Sequence, residues 1–240
     1  PEPDSQPDAP GGGPSDAVDA VDPPPADQSA DAGAGDVDGA VRQLESMQRR
    51  LVWGEDNDVA QQAQSRWMDS GDMPEFVQEL IEQALTNGAV YMGEYDAPNV
   101  TGGAVERFFQ EKLDQPQGWS RRSLITDFAD RFEISEQQAA DTLETQLTNV
   151  LNEAREVGYR QQGDTDDRVF KWVGPADDDK TDACWELLRE TNPQYGGTPR
   201  PLDELKELVA EKREQYYPEF GGAEWSVHWG ERDTYVEHFD

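Results

Sequence analysis

Among the 240 residues, Cys184, His228 and His238 are the thiol and the imidazoles, the side chains best suited to metal or nucleophilic chemistry. Asp177, Asp178, Asp179 and Glu231 stand near them in the sequence as oxygen donors. A structural zinc site takes four Cys or His ligands at paired short spacings. One Cys with two separated His does not supply that pattern. A thiol–imidazole pair of Cys184 and His228 is the other chemistry these types allow, but no oxyanion glycine motif accompanies it. Neither a P-loop nor a dinucleotide-binding glycine fingerprint occurs. With 52 acidic residues, paired carboxylates arise by chance. These residues therefore point to a protein that is not an enzyme, with no catalytic residues, no metal and no cofactor. Cys184 reads as a small buried hydrophobe on a helix, and His228 as a hydrogen-bonded histidine between two tryptophans.

A second constellation is a helix-turn-helix pattern. Leu124–Phe132, the turn Glu133-Ile134-Ser135 and the helix from Glu136 have the right lengths, with Gln137 and Gln138 where base edges would be read. Asp141 and Glu144 follow on the same helix, and no cation flanks the glutamines to hold phosphate. A DNA-binding regulator is thus the rival class, and two packed helices joined by a tight turn is the plain alternative.

The elements that must carry these residues follow from apolar spacing. Val41, Leu44 and Met47 predict a helix over 38–50, and a weaker one spans roughly 57–68. The third helix has Asp72 as cap, Pro74 in its first turn and Phe76, Val77, Leu80, Ile81, Ala84 and Leu85 on one face, ended by Asn87-Gly88. Residues 89–103 read as a loop. Val105, Phe108, Phe109 and Leu113 mark a short helix closed by Pro116 and Gly118. Ser120 caps the next, with Leu124, Ile125, Phe128 and Phe132 inward. Ser135 caps a long one in a Ser-Glu-Gln-Gln box, whose stripe of Ala139, Leu143, Leu147, Val150, Leu151, Ala154 and Val157 runs up to Gly158. Beyond residue 163 the pattern changes. Residues 168–173 alternate as a strand, 181–191 and 201–216 read as helices, and 225–229 and 234–239 as strand-like segments. The expected class is α+β: a mainly helical part over 41–162, then a small mixed α/β module over 163–240.

Residues 1–40 carry ten acids, no base and no aromatic, with eight Pro and six Gly, and read as a disordered acidic tail. Formal net charge is −32, from 52 acidic and 20 basic residues, and residues 41–240 alone hold a net −22. Lysine is scarce, five against fifteen arginines. A folded, wholly acidic, lysine-poor surface is expected where molar salt shortens the Debye length to about 3 Å, which points to a halophilic source. Such a balance argues against an ordinary duplex-DNA reader, although less strongly at molar salt. No apolar run is long enough to span a membrane, and one cysteine excludes an internal disulfide. The first residue, Pro1, suggests either a chain cut from a longer precursor or a numbering that begins inside one.

The order of features over residues 142–240 adds a resemblance. A helix bearing Asn152, Arg155 and Tyr159 is followed by Val169-Phe-Lys-Trp-Val. Then come Asp178-Asp179-Lys180-Thr181 with Cys184, a Gly-Gly turn, a Leu-rich helix and His228-Trp-Gly-Glu-Arg232. This resembles the C-terminal half of the phage minor head protein family, the head morphogenesis domain of the Mu F protein. Lys180 stands where the family has Arg, and Glu231 where it has a second Cys, so Cys184 has no thiol partner.

The resemblance implies a virion component of a tailed virus, placed inside the head near the portal vertex and acting in assembly or in DNA packaging and ejection. The implied partners are portal and major capsid protein and, in some members, packaged double-stranded DNA. No membrane and no small-molecule substrate are implied. Pro1 would then follow a prohead protease cut. Asp178, Thr181, Cys184, His228 and Arg232 are expected to form a polar knot pinning the last strand to the acidic turn, with Arg232 bridging Asp178 or Glu231.

Overall fold

Helix periodicity dominates the fold because the apolar spacings above are mostly three and four. The computed structural model describes residues 37–54, 73–95, 97–115, 119–175, 180–220, 224–228 and 232–239. Residues 1–36 of the expected tail, the helix over 57–68, the Asp72 cap, the Pro116–Gly118 stop, Asp178 and Glu231 lie outside the described residues, while residues 37–40 of that tail open α1.

The element order is α1 (Val37–Met47), α2 (Glu75–Thr86), α3 (Gly102–Leu113), α4 (Arg121–Phe132), α5 (Glu136–Gln161), β1 (Phe170–Val173), α6 (Asp182–Thr191), α7 (Leu202–Tyr216) and β2 (Thr234–Glu237). A π-type turn over Gln48–Val52 extends α1, and a 3₁₀ turn over Pro193–Tyr195 follows α6. The class is α+β, a mainly helical part followed by a small mixed module.

The helix ends obey their local chemistry. The hydroxyls of Ser120 and Ser135 accept from the backbone N–H groups of Ser123 and Gln138, each closing a capping box. At the end of α2, Gly88 takes φ +86°. Its N–H donates to Leu85, and that of Ala89 to Ala84, the paired bonds of a Schellman stop. Pro74 sits just ahead of α2, extended at ψ 134°, rather than inside its first turn.

Helix α5 is the organising element, 26 residues long, with α1, α2 and α4 packed along it. It does not stop at Gly158 but continues three residues further. A Cβ on Gly158 would fall 2.7 Å from Val41 Cγ2 and 3.3 Å from Leu80 Cδ1. That glycine lets α1 and α2 approach α5; it is not a helix stop.

The two strands pair antiparallel, Phe170 with Glu237, Lys171 with Val236, Trp172 with Tyr235 and Val173 with Thr234. Phe170 also bridges Arg200 on its other side. The expected strand at 225–229 is a turn and bend over its described residues 225–228. Trp225, Ser226 and Val227 are all buried, so the alternation a half-buried strand needs is missing. The Trp225 ring stacks instead on Tyr235, centroids 4.1 Å apart.

The described residues belong to one compact body with two hydrophobic clusters. One gathers α1 to α4 and the inner stripe of α5. The second gathers β1, β2, α6 and α7 around Phe170, Trp172, Trp225 and Tyr235, and takes in Val41 and Tyr159 from the helical part.

Candidate functional site

Between the two clusters, the face of α5 turned to the C-terminal segment is polar. Gln146, Asn149, Asn152, Arg155 and Glu156 are all buried, at the three- and four-residue spacings that place them on one side of a helix. Arg155 has no accessible surface. Its guanidinium donates to the carbonyl of Tyr235 at 3.0 Å and to that of Leu151 at 3.4 Å. It also donates to Asn152 Oδ1 and Thr234 Oγ1. The Thr234 hydroxyl returns to Asn152 Oδ1 at 2.5 Å. The Arg155 carbon lies 5.2 Å from the Tyr235 ring centroid, and the Tyr235 hydroxyl donates to the carbonyl of Asn152 at 2.9 Å. Burial holds the Tyr235 phenol well above its ordinary value, so it remains a donor. These acceptors of Arg155 are uncharged, so a fixed cation ties β2 to α5 through oriented dipoles.

Tyr159, one turn on, donates to Glu45 of α1 at 3.2 Å. Arg168 lies against the Tyr159 ring at 4.9 Å and forks onto both oxygens of Glu237 at 2.7 and 2.5 Å. Asn152, Arg155 and Tyr159 thus share one region, and each reaches an element distant in sequence.

The second group surrounds the N-terminus of α6. The Thr181 hydroxyl accepts from the Cys184 N–H at 3.4 Å and donates to Cys184 Sγ at 3.3 Å. Cys184 Sγ lies 3.3 Å from Nε2 of His228, and the His228 ring leans on Tyr217 with centroids 5.2 Å apart. Three of the five residues expected in the knot, Thr181, Cys184 and His228, therefore meet. Arg232 enters through its backbone: its carbonyl accepts from Gln48 Nε2 at 3.1 Å and from Trp53 Nε1 at 2.5 Å. The acids expected to face its guanidinium, Asp178 and Glu231, lie outside the described residues. His238 follows β2, at the opposite end of the strand from Asp233, which precedes it.

Sequence reasoning missed the ion pair at the heart of this group. Lys180 Nζ and Asp233 Oδ1 are 2.9 Å apart, with side chains 5% and 4% exposed. Burial pushes the Asp233 carboxyl up, against the pull of Lys180. Gly174 makes room, since a Cβ there would collide with the Asp233 carboxylate. Lysine scarcity was the available signal. Lys112, Lys180, Lys206 and Lys212 all form ion pairs, and their side chains are at most 23% exposed. In a chain this poor in lysine, four of the five lysines are placed for pairing. Trp225 and Glu156 were missed as well; the indole donates to the carboxylate at 2.9 Å.

Chemically, the Thr181–Cys184–His228 group offers a thiol–imidazole hydrogen bond beneath a covered surface. Cys184 is 3% exposed, a setting for packing rather than for attack on a substrate. On the helix-turn-helix segment, Gln138 serves the Ser135 capping box and Gln137 donates to Asp141 at 2.8 Å. Arg121 pairs with Glu144 across the two helices. Among the described residues, no helix is long and apolar enough to cross a membrane. Compared with known proteins, the chain matches no family model, no curated protein and no solved structure.

Proposed function

We propose that the chain is a structural minor head protein of a tailed virus with a halophilic host. It would sit in the capsid interior near the portal vertex, without enzymatic activity, and act in head assembly or in DNA packaging and ejection. Its partners would be portal or major capsid protein, with packaged double-stranded DNA as a neighbour. The observation that carries this reading is the Arg155 clamp. The Asn152 side-chain oxygen and the Arg155 guanidinium, on residues picked out by the resemblance, hold β2 to α5. Thr181, Cys184 and His228 bond to one another in the same way. Residues used like this suit a rigid element that other proteins dock against. Mass spectrometry of purified virions and proheads tests the reading. The expected result is the chain at a few copies per particle, and absence from both particles overturns it.

A further inference from the structure

A groove of about 890 Å³ runs between the outer face of α1 and β2. Asp38, Arg42, Glu45 and Arg49 line it from the helix, and Val236 and Phe239 from the strand side. Arg168 and Glu237 also line it, but they close on each other at 2.5 Å. The four charges of the helix are what remains to meet a partner.

Their spacings of four, three and four residues keep them on one side of the helix. Their order is acid, base, acid, base. Equal numbers are unusual in a chain of 52 acidic and 20 basic residues, and the order itself is two-fold symmetric. Suppose two copies of the stripe lie antiparallel about a point between Arg42 and Glu45. Asp38 then meets Arg49, Arg42 meets Glu45, and each contact occurs twice. All four contacts join opposite charges. Laid parallel, every residue would face its own like-charged counterpart, which is repulsive. Asp38 and Arg42 are exposed and form no ion pair among the described residues. Glu45 accepts from the Tyr159 hydroxyl at 3.2 Å, and Arg49 lies 5.3 Å from the Trp53 ring centroid, so the inner half of the stripe is held in place.

Exposed ion pairs contribute little by themselves, and a stable contact needs apolar surface beside them. Phe239 supplies it. It is 78% exposed, more than any other large apolar side chain among the described residues. Val37 and Val236, both half-buried, line the same groove. An aromatic side chain left in solvent beside such a groove marks an interaction surface.

We propose that two copies of the chain associate through this groove as an isologous dimer. The α1 stripes lie antiparallel, and Phe239 of each copy packs against the groove of the other. A second copy is the occupant because it carries the reversed order of charges by construction. A partner with a uniformly acidic surface would instead set like charges against Asp38 and Glu45. The formal charge of −32 opposes association at low ionic strength, and salt screens that repulsion between whole chains more than it screens pairs in contact.

Sedimentation velocity of the full chain in about 1 M KCl tests this. The expected result is a dimer, whose dissociation constant Arg42→Glu raises at least about tenfold by setting two like-charged contacts across the axis. The double variant Arg42→Glu with Glu45→Arg exchanges the charges within each pair and is expected to restore the dimer. Phe239→Ser is expected to weaken it as well, and this readout stands whether or not the double variant folds. Arg122→Glu reverses an exposed cation on α4 and is expected to leave association unchanged. A chain that stays monomeric, a dimer indifferent to both Arg42→Glu and Phe239→Ser, or a folded double variant that stays dissociated would overturn the proposal.

Discussion

Arg155 concentrates the energetics of the site in one side chain. Its surface is fully buried, and its guanidinium donates to two carbonyls, an amide oxygen and a hydroxyl. Removing the guanidinium takes a buried donor from the Tyr235 carbonyl and from the Asn152–Thr234 pair inside the protein, which costs more than the bonds themselves contribute. Arg155→Met keeps much of the apolar stem and is expected to lose about 3 kcal/mol in denaturant unfolding. Arg155→Lys restores a charge without the planar fork and is expected to recover only part of that loss. Equal stability of Arg155→Met and the parent chain would contradict the clamp. At this scale the sequence was partly legible. The resemblance pointed to Asn152, Arg155, Thr181, Cys184 and His228, but spacing alone could not show that Asp233 and Lys180 pair, because their partnership depends on Gly174 letting β2 approach.

Among the elements, α5 decides how the helical part is assembled. Gly158 lies inside the helix with side chains of α1 and α2 against it, so Gly158→Ala is expected to cost about 1–3 kcal/mol through overpacking against Val41 and Leu80. Gly103, in the first turn of α3, provides the contrast. A Cβ there meets only the end of Arg107, at 4.0 Å, so Gly103→Ala is expected to be neutral or stabilising by up to about 1 kcal/mol. Thermal unfolding of the two variants measures the difference, and a reversed order would contradict the packing described. These cases show why the helices were readable and their contacts were not. Caps at Ser120 and Ser135 and the inner stripe of α5 are local chemistry, visible within a few residues. Gly158 reads as a stop by the same local grammar, and only its neighbours from α1 and α2 show it to be a contact. The segment 225–229 failed as a strand for a related reason. Trp225 finds a stacking partner in Tyr235 and a carboxylate in Glu156, and neither is apparent from a period of two.

For the whole molecule, the formal charge of −32 sets the conditions under which the fold is stable. Acids far outnumber bases, and several of the cations are already committed to ion pairs, as with Lys206 between Glu156 and Glu224 and Arg168 on Glu237, so the remaining carboxylates repel one another. Salt relieves that repulsion. The melting temperature is therefore expected to rise steadily between about 0.1 and about 3 M KCl, and a flat or falling profile would contradict adaptation to high salt. The same charge says little about partners, because the resemblance and the Arg155 clamp, not the acidity, support a place in the virion. A particle reconstruction at the portal vertex tests that central claim most directly. The account predicts density for the α5–β2 unit inside the head, against portal or capsid protein. Particles without this chain at the vertex or elsewhere in the head would contradict it.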